Sequence, residues 1–342
     1  MRIDRRPDRR TCPAAARRPV RLAACAVAAS GLALLAAGAP AAAAGTGRPV
    51  SPATRRAPAR GAPHVMVLMM ENNSYSDIVG SSSAPYQTKL AKSYETATSS
   101  YGAGHYSLDN YLAAVTGRFY TWSDGDCSPG PGCRAYDATI VDQLDAAHVP
   151  WDAFMGAMPS NCDTQNAYDA SANRYYGVRH DPFVYFPRLV KNDCGRIQPS
   201  THLLAALDSA SPPAFVWYSP QICHDGGGDE PCATVAAGDS FLSAEIPRIQ
   251  ATRWYREGGV IVLSYDEGNS SGQGQGEHLH GEGNHILTIL VSQATKGKAD
   301  YSRYVNTFGM LAGIEKAYGL HCLELACSSS NGILPVAQAT GR

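Results

Sequence analysis

Several features that would settle a function at once are missing from this chain of 342 residues. It has no CxxC pair, which argues against the paired thiolates of a structural zinc site. Beyond residue 44 no apolar run is long enough to cross a bilayer. No internal repeat is visible, so a solenoid or propeller is not expected. Cationic excess is lacking too. The first 44 residues hold eight arginines and two aspartates; setting them aside reduces 29 basic and 30 acidic residues to 21 and 28, a net charge near −7. Such a surface has little with which to neutralise a phosphate polymer, and nucleic-acid binding is not expected.

What is present begins with a leader. Arg17, Arg18 and Arg21 precede the apolar segment LAACAVAASGLALLAAGA, and small residues follow up to Ala44. This is the pattern of a secretory signal peptide over residues 1–44, and Arg17-Arg18 permits the twin-arginine route. A membrane anchor is the weaker alternative, because the segment is rich in small alanines and carries Pro40. Residues 45–61, rich in Pro, Ala and Arg, read as a spacer, and residues 62–342 as one domain. Eight cysteines lie beyond the leader, an even number that in an exported chain points to disulfides. Three pairs are close in sequence (127 with 133, 223 with 232, 322 with 327), which leaves 162 with 194, although sequence does not fix connectivity.

Apolar runs alternate with helical spacing. HVMVLMMEN (64–72), PAFVWYSP (213–220), GGVIVLSYDEG (258–268) and HILTILVS (285–292) read as buried strands. Helical patterns cover 85–95, 107–115, 138–147, 241–257 and 308–318, with Gly117 a natural stop. The expected fold is α/β, a mostly parallel sheet with helices on both faces. Polar residues cluster just after the strands, where open parallel sheets bind ligands. Glu71-Asn72, Ser107, His224-Asp225 and Asp266-Glu267 arrive from four separate segments, and hard oxygen donors of this kind suit one divalent cation. Each piece alone also reads as a turn or a cap; Ser107 before LDN is a sound helix cap.

Taken in order, these segments resemble the phosphoesterase family that joins bacterial acid phosphatases and phospholipases C within the alkaline phosphatase superfamily. The matches are Glu71-Asn72 in MMENNSYSDIVG, His105-Tyr106-Ser107-Leu108-Asp109-Asn110-Tyr111-Leu112, His180-Asp181-Pro182, His224-Asp225, Gly238-Asp239 and Tyr265-Asp266-Glu267. The chain is most similar to small secreted acid phosphatases. The resemblance implies an alkaline-phosphatase-like fold and a metal-assisted phosphomonoesterase working through a phosphoserine. Ser107 would be the nucleophile, and Glu71, Asn72, Asp266 and Glu267 would hold one divalent metal of unspecified identity. Asn110 would hydrogen-bond a phosphoryl oxygen. His105, His180 and His224 would line the pocket, one of them protonating the leaving alcohol. The histidine that the family carries before its final helix is replaced by Thr307, and His285, beside the strand HILTILVS, is the expected substitute on the substrate side; His278 and His280 read as a solvated Gly-rich loop. The partner is a phosphate ester, either a small molecule or a phospholipid head group; stable membrane insertion after signal cleavage is not expected, and oligomeric state is left open. The alternatives are a phospholipase C or other phosphodiesterase, for which Tyr106, Phe183, Tyr185 and Phe186 hint at an aromatic wall, and a catalytically inactive secreted binding protein, for which Thr307 is the argument.

Overall fold

A computed structural model describes residues 61–123, 125–169, 171–228, 230–269 and 284–341. The leader, the spacer up to residue 60, and the loop with His278 and His280 lie outside the described residues. The strands are β1 (Val65–Met70), β2 (Glu95–Tyr101), β3 (Trp151–Met155), β4 (Ala167–Asp169), β5 (Arg174–Tyr176), β6 (Ile197–Pro199), β7 (Phe215–Ser219), β8 (Val260–Tyr265), β9 (His285–Val291) and β10 (Val305–Asn306). Eight of them form one sheet in the order β10-β2-β9-β8-β1-β7-β3-β6. Every pairing in it is parallel except the two made by β9, so β9 alone runs against the rest.

Strand β1 explains why its apolar run is unbroken. Val65, Val67 and Met69 enter one core, while Met66, Leu68 and Met70 enter the core on the opposite face. Side chains alternate across a strand, so a central strand covered on both faces needs apolar residues at every position. The helices Ser107–Thr116 and Thr307–Tyr318 cover the first face through Leu108, Leu112 and Leu311. The helices Pro85–Ser93 and Val235–Gln250 cover the second through Leu90, Leu242 and Ile246. Gly117 ends the Ser107 helix in the left-handed conformation, φ 71°.

Four sheet strands, β2, β3, β6 and β10, carry no long apolar run and are found only in the structure. Strand β2 is ETATSSY, yet it lies inside the sheet. Its Ser100 hydroxyl is 2.8 Å from Thr288 Oγ1, and Thr288 Oγ1 is 2.9 Å from Ser264 Oγ, a chain of buried hydroxyls across β2, β9 and β8. Partners on neighbouring strands satisfy these hydroxyls, so the strand is stable without looking like one locally. Strands β3 and β6 are short and lie together beyond β7. The single helix expected over 241–257 begins instead after Thr234, whose hydroxyl accepts from Ala237 N–H, and breaks before a separate turn, Arg253–Arg256, capped by Thr252. Asp239, of the Gly-Asp pair, braces the fold, since its carboxylate accepts from the Tyr86 and Gln87 amides at the start of the Pro85 helix.

All eight cysteines of the domain are bridged: Cys127–Cys133, Cys162–Cys194, Cys223–Cys232 and Cys322–Cys327. The pairing by proximity holds, and none of these thiols is left for a metal. Phe183, Tyr185 and Phe186 are fully buried in the core, so the aromatic wall hinted at by the sequence does not exist; of that group only Tyr106 is exposed. Among the described residues no helix is long and apolar enough to cross a membrane.

Candidate active site

The carboxyl ends of β1, β7 and β8 are neighbours in the sheet, and their following residues meet. Glu71 follows β1, Asp225 lies in the one-turn helix Ile222–Asp225 after β7, and Asp266-Glu267 follow β8. Parallel register brings them together: Met70 pairs with Tyr265, the Asp266 amide donates to the Met70 carbonyl, and the Glu71 amide donates to the Asp225 carbonyl at 3.2 Å. Glu71, Asp225 and Asp266 are buried to within 1% of full burial.

Ser107 enters from the next layer. It is the first residue of its helix, with Tyr106 at the cap position. Its hydroxyl donates not to its own helix but across to Glu71 Oε2, at 2.9 Å, from a buried position. The other oxygen of Glu71 lies 3.1 Å from His180 Nε2, and His180 Nδ1 faces Asp225 Oδ2 at 3.7 Å. The Tyr111 ring, one helical turn beyond Ser107, stacks on the His180 ring with centroids 5.2 Å apart. Burial, and then Glu71, holds the Tyr111 phenol in its neutral form. The result is a line of polar groups, Ser107–Glu71–His180–Asp225, at a helix N-terminus, where partial positive charge favours an anion.

Asp266 closes the other side. Its Oδ1 accepts from the Asn72 amide at 2.9 Å and the Glu267 amide at 2.7 Å. Its Oδ2 is buried and has no hydrogen-bond partner among the described residues. Burial, and then the Glu71 carboxylate, pushes the Asp266 pKa well above the ordinary value. Glu267 is pushed up to about 8, chiefly by burial, against the lowering effect of its hydrogen bond with His105 Nδ1. Like charges crowded in a dry site behave this way when nothing neutralises them.

Among the described residues, no three His, Cys, Asp or Glu side chains are already gathered around one point as a metal would require. The fit to a cation therefore rests on the donor set: buried carboxylates at mutual cost, and an orphaned Asp266 oxygen with unused lone pairs.

The structure brings together Glu71, Asn72, His105, Ser107, His180, Asp266 and Glu267. It separates three other expected residues. His224 turns away from Ser107: its ring stacks on Phe241 at 5.1 Å and lines a large cavity, while its neighbour Asp225 faces His180. Of the His-Asp pair the sequence singles out His224 for a role in the pocket, whereas the structure brings Asp225 to the cluster. The two side chains of a single helical turn point about 100° apart, so only one could reach the site. Asn110 is committed to the loop that carries His105. Its Oδ1 accepts from the Ala103 and Gly104 amides at 2.8 and 3.1 Å, and its Nδ2 donates to the Gly104 and Tyr106 carbonyls at 2.8 and 3.0 Å. His285 lies at the same sheet edge, across Tyr101 of β2 from Asn306 and the buried Thr307. Its ring stacks on Tyr75, at the start of the one-turn helix Tyr75–Ile78, at 4.6 Å and its Nε2 is 3.0 Å from the Thr98 carbonyl of β2, so its described contacts are with that helix and the sheet rather than with the Ser107 cluster.

The fold around this site is shared. A member of the alkaline phosphatase superfamily from Vibrio parahaemolyticus superposes with a TM-score of 0.50 at 13% identity, over 75% of this chain and 66% of that one. The lipoteichoic acid synthase LtaP of Listeria monocytogenes gives 0.54 at 12%, over 79% and 76%. At such identities the likeness concerns architecture, and it defines an alkaline-phosphatase-like α/β protein. The sequence goes further: residues 81–321 match the phosphoesterase family, and the chain belongs to that family. It is similar to a probable acid phosphatase of Kluyveromyces lactis, 22% identical over 80% of this chain, and spans 62% of that relative's length. It is also similar to a phosphatidylinositol-3-phosphatase of Mycobacterium tuberculosis, 24% identical over 75% of this chain and 77% of that protein.

Proposed function

We propose that this chain is an exported, metal-assisted phosphomonoesterase in which Ser107 is transiently phosphorylated. The observation that carries the reading is the buried Ser107 hydroxyl held on Glu71 at the start of a helix, with His180 on the other oxygen of the same carboxylate. Both relatives are named as phosphatases, which supports a monoester over a diester. Four disulfides are consistent with export.

The chain's residues divide the work. The helix N-terminus and its amides orient the phosphoryl group. Glu71 takes the Ser107 proton as the Ser107 Oγ–P bond forms and the ester P–O bond breaks. His105 is less buried than His180 and is held by Glu267, so it is assigned to give the departing alkoxide its proton. Water then attacks phosphorus and gives a proton to His105, the Ser107 Oγ–P bond breaks, Ser107 regains its proton from Glu71, and phosphate leaves. Asn110 acts through the loop it braces. Glu71, Asn72, Asp266 and Glu267 are the residues that would hold one divalent cation, which when bound would screen the phosphate charge and lower the serine pKa.

The test is hydrolysis of p-nitrophenyl phosphate by the chain from Gly45, with and without chelator, beside Ser107→Ala. Turnover should be lost in the variant by at least about 10³-fold. It should fall on chelation and return with a divalent cation, and acid quenching should trap phosphate on the Ser107 peptide. Undiminished turnover in Ser107→Ala would refute the assignment. Preference for bis(p-nitrophenyl) phosphate would move the reading to a phosphodiesterase.

A further inference from the structure

A large cavity opens apart from the Ser107 cluster. It lies beyond the carboxyl ends of β3, β6 and β7, has a volume of ≈ 1550 Å³, and is lined by Pro199, Tyr218, Gln221, His224, Phe241 and Arg248 among others. Ligand pockets are commonly about 300–1,000 Å³, so there is room for more than a phosphate.

The turn Ile222–Asp225 is the wall between the two spaces. On one side Asp225 faces His180 at 3.7 Å, and through it Glu71 and Ser107. On the other side His224 lines the cavity, with Gln221 beside it.

The lining has a definite chemistry. His224 and Phe241 form a stacked aromatic pair, interplanar angle 19°. Arg248 pairs with Glu245 at 2.8 Å and Arg174 pairs with Asp169 at 2.8 Å, both arginines being more than half exposed. The phenol of Tyr218 faces Glu245 and Ser200. Met158 and Leu204 add apolar contact. The Arg174–Asp169 pair is exposed at both ends and Arg248 is exposed beside the buried Glu245; exposed pairs are worth little to the fold, so both guanidinium groups can turn to a ligand without much loss. Carboxylates and guanidinium groups side by side match the mixed donor and acceptor pattern of vicinal hydroxyls, and an aromatic face packs against the C–H face of a ring. An aliphatic chain would strip water from four charged side chains without replacing their hydrogen bonds.

Resting on the phosphomonoesterase reading, we propose that this cavity receives the alcohol part of the substrate, and that this alcohol is a polyhydroxylated ring. A soluble ring phosphate and the same ring as a lipid head group share the chemistry. Glucose 6-phosphate, myo-inositol 1-phosphate and a short-chain phosphatidylinositol phosphate are the probes that separate the two sources.

The experiment compares the unaltered chain with Arg174→Ala/Arg248→Ala, a pair of surface changes outside the catalytic cluster. The expected result is a KM for at least one ring phosphate raised about tenfold or more, with p-nitrophenyl phosphate turnover within about twofold. Calorimetric binding of the same ring phosphates to Ser107→Ala, with and without the two arginine changes, reads the cavity independently of turnover. Loss of binding on removal of the arginines supports the subsite even if no substrate is hydrolysed, an outcome that would count against the phosphomonoesterase reading alone. Equal effects on p-nitrophenyl phosphate and ring phosphates, unchanged ring binding, or preference for long-chain phosphatidate unaffected by the arginines would overturn the subsite.

Discussion

The two sides of the turn Ile222–Asp225 are built in opposite ways. Toward Ser107, carboxylates are buried and crowded, those of Asp266 and Glu267 are raised in pKa, and their geometry is set by backbone amides and by register. Toward the cavity, both arginines are exposed and paired, and the wall is assembled from the segments after β3, β6 and β7 together with the helix Val235–Gln250 and the hairpin β4-β5. The first side stores repulsion that chemistry can use; the second offers interchangeable hydrogen bonds that a ligand can take over. A site needing fixed geometry is placed over the central strands, and a site needing tolerance lies toward the sheet's edge.

Perturbing the crowded side should have the largest effect. Glu71→Gln keeps the shape but removes a carboxylate that Ser107 and His180 share, and turnover should fall by about 10²–10⁴-fold. The same change relieves repulsion with Asp266, so the chelated variant should be more stable than the chelated parent, by about 1 kcal/mol or more, in thermal melts. A variant that loses both activity and stability would break the contrast between the two sides.

Gly227→Ala probes how tightly the partition is packed. A Cβ there would lie 2.6 Å from the Cβ of Glu71 and 3.2 Å from Asp225 Oδ1. Backbone must shift at a cost of about 1–3 kcal/mol, and turnover should drop about tenfold or more while the fold survives. Circular dichroism and p-nitrophenyl phosphate kinetics check the two halves of that statement.

A smaller effect separates the site from the core beneath it. Asp181, beside His180, is fully buried, and burial pushes its pKa from 3.8 to about 7. The folded state therefore binds this proton more tightly than the unfolded chain. The stabilisation is complete below the unfolded value of 3.8 and is lost as pH rises through about 7. Asp181→Asn keeps the oxygen that accepts from Phe183 N–H at 3.1 Å and stays neutral. Melting curves across this range should show the parent losing stability relative to the variant as pH rises; parallel curves would refute the assignment.

His285→Ala should have the smallest effect on catalysis, within about threefold, because its described contacts are with Tyr75, Tyr101 and the Thr98 carbonyl. A loss as large as that of Glu71→Gln would return His285 to the place of the histidine that Thr307 replaces.

Much of this is legible in the chain. Four apolar runs mark β1, β7, β8 and β9 because strands covered on both faces cannot carry many polar residues. Ser107 at a helix start, Gly117 at its end and cysteines close in sequence are local signals, and local signals survive folding unchanged. The polar strand β2 is not legible, since its hydroxyls are satisfied by Thr288 and, through it, Ser264, far along the chain.

Sequence by itself determined which segments are buried, the family, and that acids, a serine and histidines follow the strands, because burial and chain order are properties of short stretches. Tertiary structure alone decided that Asp225 and not His224 joins Ser107, that Asn110 braces a loop, and that a cavity opens beyond β3, β6 and β7. Those outcomes depend on strand register and on which face of a single helical turn meets the sheet, and both are set by contacts between residues tens to hundreds of positions apart.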